Sequence, residues 1–488
     1  MFIFIGILLL ALGLRIFYFI LTNGQASWWD SAEYLSQGQH YLNSWKGITD
    51  TYMVNFQRPP AFQFIIATIL AFELGESAII FLCCIIPSFI LVFLVFLLGK
   101  EMFNEKVGLI ASLFTTVSWT LLFWTPRAQP DFISMCFQVA ALYFFFKCIN
   151  NNDNINKNMF ISGALAAASF SFKISGLLVP LVIFIYLCFI QQFKIFKKKE
   201  NWMFLAGFIL LILPYLIWAW ISFGNPFIVR SGYQSAMENQ TPFAWWVLDY
   251  FSILFSDTIF FMLFIFSFTY IAFITLTKLD LELKQPSKEF TANWFTILIL
   301  IVTACFYIFY IGGIEDRWVF IWLPFLFYAV SSCIIKVFDL LHNKVHKILA
   351  WSILILLLLF LSYGQLTHAD SLIKNKLPSY APVKDASLWI QANSYSTEPF
   401  MTTSYTQMFF YSKRPTYTYS NLTEEQFEEW YPTIRPRYLV ASIFEPQAQW
   451  IFIWVQNNSR VTPVMVYFND PQTKTQPVLI IYQFNYNI

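Results

Sequence analysis

Charge is what this 488-residue sequence has least of. Lysine and arginine number 30 and aspartate and glutamate 28, together 12% of the chain. A soluble domain carries about twice that share, and hydrophobic residues here reach 58% and aromatics 20%, so water is not the chain's main solvent. The net charge of +2 supplies no basic field for a nucleic acid, which removes nucleic acid from the partners. With so few charges, the position of each carries more information than their sum.

Other absences narrow the classes further. The seven cysteines (Cys83, Cys84, Cys136, Cys148, Cys188, Cys305 and Cys333) fall in or beside apolar runs, without the paired spacing of a zinc site or a disulfide framework, and read as packing residues. There is no Gly-rich Walker loop, no H-E-x-x-H and no G-x-S-x-G elbow, which leaves cytosolic nucleotide hydrolysis unsupported. No internal repeat or long low-complexity tract is present. Residues 1–21 are apolar but lack a basic n-region and a small-x-small cleavage pattern, so they read as a retained first spanning helix.

What is present is a series of apolar runs of spanning length, at 2–22, 77–98, 107–125, 131–149, 159–172, 174–192, 201–222, 247–277, 292–311, 318–337 and 348–364. At about 20 residues per span they predict about eleven transmembrane helices. The run 61–75 is ambiguous, because about 15 residues at ~1.5 Å each reach only ~22 Å of a ~30 Å hydrocarbon core. If it does not span, Lys100 and Lys106, Lys147 and Lys157, Lys194 with Lys197 to Lys199, Lys278 with Lys284 and Lys288, and Lys336 with Lys344 and Lys347 all fall in cytoplasmic loops, as the positive-inside bias requires. If it does span, every one of those loops faces outward. The run is therefore expected to dip into or lie along the outer surface.

That topology gives the extracytoplasmic face the segment 22–60, the turn around Arg127 and Asp131, Lys173, the loop 223–246, the turn Glu315-Asp316-Arg317 and the tail. From about Gln365 the chain becomes polar. Helix-like patterns at 383–392 and 422–430, the second opened by a Thr423-x-x-Gln426 capping box, alternate with strand-like runs at 400–403, 438–444, 461–468 and 478–484, which predicts a small soluble α/β domain. The expected organisation is a membrane-embedded part, residues 1–364, and an extracytoplasmic α/β domain, residues 365–488, in a multi-pass protein of the cell membrane. Three N-x-S/T triplets, at Asn239, Asn421 and Asn457, lie on the outer side in this reading.

A handful of ionisable residues stand out at that face. Asp30 and Glu33, three apart in Trp28-Trp29-Asp30-Ser31-Ala32-Glu33, share one helix face. They read either as a general base with an acidic neighbour or as the N-cap and N3 of a capping box on an interfacial helix. Arg58 precedes Pro59-Pro60, whose fixed backbone holds a guanidinium that could grip a phosphate bidentately or anchor to lipid headgroups. Asp131 opens a spanning helix and reads as a helix-start carboxylate or a site residue. Lys173, with no charged neighbour in sequence, and the compact turn Glu315-Asp316-Arg317 sit at membrane depth, where ionisable groups are retained at a cost and default to function. Arg15, inside the first span, needs a partner there, a carboxylate or helix-end carbonyls, or must snorkel out, and reads as structural.

Taken together, WWDSAEYL after the first helix, QRPPAF before the second, QPDF at the head of a later one and EDRWVFIWLP further on resemble GT-C glycosyltransferases. Within that superfamily the chain is most similar to the branch of dolichyl-phosphate-mannose protein mannosyltransferases and aminoarabinose lipid A transferases, with a tail similar to archaeal soluble domains. The resemblance covers residues 1–365 well and the tail weakly. It implies a polytopic α-helical membrane fold with a small soluble α/β domain, and transfer of one sugar from a polyprenyl- or dolichyl-phosphate-linked donor to a lipid, glycan or protein acceptor at the outer face, usually with inversion. On the matching positions it implies Asp30 as the catalytic aspartate and Arg58 as a ligand of the donor phosphate, and Lys173 or Arg317, retained at membrane depth, are the candidates to join Arg58. Asp131 would orient the acceptor or a divalent cation, the one candidate cofactor, and Glu33, Glu315 and Asp316 would complete the polar site. The WWDYG signature of oligosaccharyltransferase soluble domains is missing, which favours single-sugar over en bloc transfer, and the tail lacks the threefold repeat of eukaryotic relatives. A polytopic transporter or lipid-linked-sugar flippase is the alternative, but repeated halves and paired broken helices, which would favour it, are absent.

Overall fold

The computed structural model describes residues 2–54, 58–151, 154–229, 244–255, 257–282, 286–311, 315–344, 346–446, 448–469, 472 and 474–486. Among them, nine helices are long and apolar enough to cross a membrane, from Phe2–Leu21 to the one that begins at Lys347. Asn239 and most of the 223–246 loop lie outside the described residues. Two further predicted runs are helical but less regular. The run at 107–125 is divided at Ser118 into Glu105–Val117 and Trp119–Trp124, and that at 159–172 belongs to Ile155–Phe172, which opens on polar residues and is studded with Ser, Gly and Ala. The run at 61–75 gives an eleven-residue helix, Ala61–Ala71, whose ~16 Å length is about half a hydrocarbon core.

The chain divides into two compact units. The first comprises Met1–Thr22, Phe56–Ala61 and Ile80–Asn375, and the second Asn23–Asn55, Phe62–Ile79 and Lys376–Ile488.

In the first unit the helices meet through small residues. A Cβ on Gly163 would stand 1.9 Å from the Phe204 carbonyl oxygen, and one on Gly207 would stand 2.1 Å from that of Phe160. The helices Ile155–Phe172 and Lys199–Phe223 thus approach to backbone contact, as membrane helices do where small residues face one another. The polar groups inside the unit are matched to helix irregularities. At the Ser118 break the amide of Trp119 donates to Gln365 Oε1 at 2.9 Å, and the Gln365 amide donates to the Leu254 carbonyl at 3.3 Å. Arg15 is fully buried and does not snorkel. Its Nε donates to Ser88 Oγ at 2.7 Å, and its Nη1 donates to the Ala11 and Thr116 carbonyls, so hydroxyl and carbonyl oxygens hold this cation within the span.

The second unit is a three-layer α/β structure that includes the first loop. Its sheet has strands β1 Phe400–Thr402, β2 Thr416–Tyr417, β3 Tyr438–Ser442, β4 Val461–Phe468 and β5 Pro477–Phe484 in the order β2-β1-β3-β5-β4. β1 runs parallel to β2 and β3, while β5 runs antiparallel to β3 and β4. The period-2 alternation of side chains divides the strands between two cores. Phe400, Tyr438, Val440, Leu479 and Ile481 pack with the helix Ala381–Asn393 and with Ala26 and Trp28 of the first loop. Met401, Leu439, Ala441 and Tyr482 pack with Phe427, Tyr431, Ile451 and Trp454 of the helices Glu424–Ile434 and Trp450–Asn457. The capping box is present, with the Gln426 amide donating to Thr423 Oγ1 at 3.3 Å and the Thr423 amide to Gln426 Oε1 at 3.0 Å.

The helix Trp29–Trp45 is tied into this unit on several sides. Tyr34 meets Phe62 edge to face, with ring centroids 5.2 Å apart. A Cβ on Gly38 would lie 2.3 Å from Ile66 Cγ2, so glycine sets the approach of Trp29–Trp45 to Ala61–Ala71. We expect Gly38→Val to overpack this crossing and destabilise the protein by roughly 1–3 kcal/mol, read as a lower unfolding temperature in detergent. An unchanged value would mean that the two helices do not pack this closely. Glu76 joins three segments, accepting from Ser27 Oγ at 2.6 Å and Tyr411 Oη at 2.9 Å, with Lys384 Nζ at 3.7 Å.

Candidate functional site

In the first unit the predicted ionisable residues from three separate turns form one cluster. Asp131 opens the helix Asp131–Asn150, so the N-terminal dipole favours its charge. Its Oδ1 is ion-paired with Lys173 Nζ, which stands between Ile155–Phe172 and the next span. The pair is largely buried, with side-chain exposures of 16% for Lys173 and 3% for Asp131. Burial pushes Lys173 down from the ordinary lysine value while Asp131 pulls it up, and Arg317 and Glu315 are close enough to add opposing effects.

Arg317 is held as a fork. Its Nε and Nη2 donate to Glu315 Oε2 at 2.8 and 2.7 Å, and its Nη1 donates to Gln129 Oε1 at 2.8 Å. Gln129 is itself buried and comes from the same Arg127-Ala128-Gln129-Pro130-Asp131 turn that supplies Asp131. Arg127, also buried, lies 3.8 Å from the Phe123 ring centroid and 5.7 Å from that of Trp124, and Arg317 lies 5.2 Å from Trp124. Aromatic faces thus help to hold both guanidiniums. Burial lowers the Arg127 value against the pull of Asp316, although a guanidinium remains charged at any physiological pH. Burial pushes the Asp316 carboxyl above the ordinary aspartate value, with Arg317 opposing. Three cations therefore lie among three carboxylates, and ammonium and guanidinium groups are the side chains that meet anionic oxygens.

Arg58 belongs to the first unit's chain, in a bend followed by the buried Pro59 and Pro60, and its Nε is buried. Asp30 and Glu33 belong to the second unit. The capping-box reading of this pair is not what the structure shows. The helix begins at Trp29 with Trp28 as its N-cap, and no side chain caps it, so Asp30 lies inside the first turn and Glu33 one turn on, both partly exposed. The reason is Trp29, whose φ of 47° is a left-handed conformation that a bulky side chain seldom adopts and that costs about 1–3 kcal/mol. That strained start is pinned by the Trp29 indole N–H, which donates to Tyr380 Oη at 2.8 Å, while Tyr380 Oη donates to the Phe444 carbonyl at 3.1 Å.

At the far end of the same loop, His40 Nδ1 and Asn43 Nδ2 each lie 2.7 Å from the Asp50 carboxylate. Burial alone would raise Asp50, but these bonds and the Tyr52 amide outweigh it and hold the carboxyl below its ordinary value. Tyr405 Oη donates to the Thr51 carbonyl at 2.7 Å and accepts from the Met53 amide at 2.9 Å.

The site residues that sequence reasoning passed over are Arg127, Gln129 and Trp124. Arg127 stood in the same turn as Asp131 and met the same criterion, a charge retained at membrane depth. A cation at Asp131 would compete with the Lys173 ammonium. Among the described residues no group of three or more His, Cys, Asp or Glu side chains gathers as a metal site, and no step is assigned to a metal.

The model of the family described as dolichyl-phosphate-mannose-protein mannosyltransferase matches residues 57–218, a stretch that holds Arg58, Arg127, Asp131 and Lys173. No curated protein sequence matches the chain. Among solved structures, ArnT from Cupriavidus metallidurans bound to undecaprenyl phosphate aligns with a TM-score of 0.68 at 11% identity, covering 98% of this chain and 97% of that one. AglB, the Archaeoglobus fulgidus oligosaccharyltransferase in complex with an inhibitory peptide and a dolichol-phosphate, aligns with a TM-score of 0.62 at 12% identity, covering 90% and 69%. The arabinofuranosyltransferase AftD from Mycobacteria aligns at 0.51 and 12% identity, covering 98% and 40%. At these identities the likeness is one of fold.

Proposed function

From a multi-pass membrane chain of the GT-C glycosyltransferase fold, we propose an enzyme that transfers a single sugar from a polyprenyl-phosphate-linked donor to an acceptor hydroxyl at the extracytoplasmic face. The observation that carries this reading is the cluster of Arg127, Lys173 and Arg317 with Asp131 and Asp316, closed by the exposed Glu315. Cations are what a departing lipid phosphate requires. The donor's phosphate lies at headgroup level while its lipid remains in the bilayer, so the groups that meet it belong at one membrane depth on several helices. Two structural neighbours hold carriers of this kind, undecaprenyl phosphate and a dolichol-phosphate.

In the reaction the acceptor oxygen attacks the anomeric carbon from the face opposite the phosphate. The carbon–oxygen bond to the phosphate breaks, and its electron pair leaves with the polyprenyl phosphate, which needs no proton. One carboxylate therefore suffices as base, unlike the two of a glycosidase. Asp30 takes the hydroxyl proton, with Glu33 one turn along as its acidic neighbour. Arg58, with Lys173 and Arg317, stabilises the phosphate, while Asp131 and Glu315 hold those last two cations in place. The lysine-bearing loops at the opposite helix ends support the outward placement of this chemistry.

The test is to supply the purified protein with a panel of polyprenyl-phosphate sugars and lipid, glycan and peptide acceptors. Release of polyprenyl phosphate from one donor, with the sugar appearing on one acceptor class in the inverted configuration, is the expected result. Retention of configuration would overturn the single-displacement mechanism, and turnover of none of the donors would overturn the donor class.

A further inference from the structure

Away from the charged cluster, the first unit has a lined apolar groove that the proposed reaction does not use. Its volume is about 290 Å³ and its walls include Ile183, Leu187, Ile195, Asn201, Trp202 and Leu205. It lies where the helix Leu178–Gln191 ends, the short 3₁₀ turn Gln192–Lys197 follows and the helix Lys199–Phe223 begins. Lys173 precedes the same span, Ile174–Lys197. At about 1.5 Å per residue the groove runs from about 15 Å past Lys173, at Ile183, to the far end of the span at Ile195, about 30 Å along the helix direction.

Four lysines, Lys194, Lys197, Lys198 and Lys199, fall within six residues at the mouth of this groove and are exposed. Between and beside them Phe193 is 90% exposed and Phe196 65%. Lysines alternating with exposed aromatics form the interfacial pattern in which rings enter the acyl boundary and ammonium groups remain at the phosphates. A second observation concerns Asn201. Its Nδ2 donates to Gln191 Oε1 and to the Ile195 carbonyl, both at 2.7 Å, which fixes its amide orientation. Its Oδ1 is buried and accepts no hydrogen bond among the described residues. An apolar groove thus has a buried polar acceptor among its lining residues and a run of four exposed lysines next to it in sequence.

We propose that this groove is a binding site for an anionic glycerophospholipid of the leaflet that carries the lysine loops. One acyl chain lies along Ile183, Leu187 and Leu205, the phosphate pairs with the lysines, and a headgroup hydroxyl donates to Asn201 Oδ1. Polybasic juxtamembrane segments attract anionic headgroups in this way, and the groove gives the attraction a fixed address. The inference does not depend on the glycosyltransferase reading.

Native mass spectrometry of the full-length protein, titrated in detergent with dioleoyl phosphatidylglycerol or dioleoyl phosphatidylcholine, tests the site. The expected result is saturable binding of one phosphatidylglycerol with about a tenfold preference over phosphatidylcholine. That preference should be lost in K194Q/K197Q/K198Q/K199Q, and occupancy should be lost in Leu205→Trp, which fills the groove from an exposed wall position. Asn201→Leu should weaken phosphatidylglycerol without weakening dioleoyl phosphatidic acid, whose headgroup has no glycerol hydroxyl. Equal binding of the two diacyl lipids, or wild-type occupancy in the quadruple lysine variant, would overturn the proposal. Displacement of bound phosphatidylglycerol by undecaprenyl phosphate at equal concentration, with undecaprenyl phosphate binding itself lost in Leu205→Trp, would assign the groove to the carrier instead. Should Leu205→Trp fail to fold, the lysine variant alone still decides.

Discussion

Asp30→Asn is expected to lower sugar transfer by about a thousandfold while the protein still inserts and folds, since a positioned base contributes roughly 10²–10⁴ to a rate. The substitution keeps the side-chain volume and one oxygen but removes the carboxylate that accepts the proton. Asn caps helices as well as Asp does, so a capping role would predict little loss, and Asp30 is in any case not the N-cap. The helix starts one residue earlier, and its N-cap, Trp28, makes no side-chain cap bond. Transfer measured with saturating donor, beside the unfolding temperature of the same preparation, separates the two readings. Equal activity in the Asp30→Asn variant and the wild type would remove Asp30 from the chemistry and leave the base to be sought elsewhere.

Lys173→Met is expected to be the most destabilising single change, at roughly 3–5 kcal/mol, because it strands the Asp131 carboxylate, 3% exposed, without its counter-charge. The double variant D131N/K173M removes both charges and should recover most of that loss, since an uncharged pair of similar shape avoids the desolvation penalty altogether. Activity should not recover with it, because the cation that faces the donor phosphate is still missing. A double variant that regains both stability and transfer would make the pair a packing device. One that regains neither would mean that its ionisation holds the Arg127–Gln129–Arg317 network together.

Much of this arrangement could be read from the residues, and the reasons for the remainder are specific. The spanning helices were legible because few structures besides a membrane span keep about twenty successive residues apolar, and the capping box at Thr423 and Gln426 because its chemistry is local. Gln129 and Trp124 carry no local signal because their roles depend on the turn at Glu315 to Arg317, nearly two hundred residues on, whereas Arg127 meets the criterion that singles out Asp131. The capping alternative for Asp30 at the start of the helix Trp29–Trp45 fails for a different reason. A tryptophan at φ 47° runs against every local preference, so the rule that placed Asp30 at an N-cap was sound and the residue before it broke it. Such local violations are tolerated where the surroundings over-determine the conformation, and Tyr380 supplies that constraint here.

The packing of Ala26 and Trp28 into the same core as Val440 and Ile481 has a consequence for biosynthesis. Trp29 and the Tyr380 that pins it are 351 positions apart, and at roughly 5–20 residues per second the first loop waits on the order of a minute or less for the strands it will pack against. During that interval Ala26 and Trp28 have no sheet to cover them, so this end of the loop needs a chaperone or the bilayer surface as a temporary partner. A polypeptide that stops short of β1 leaves that wait unended. C-terminal truncations should therefore be recognised by quality control through the N-terminal loop, far from the site of the lesion.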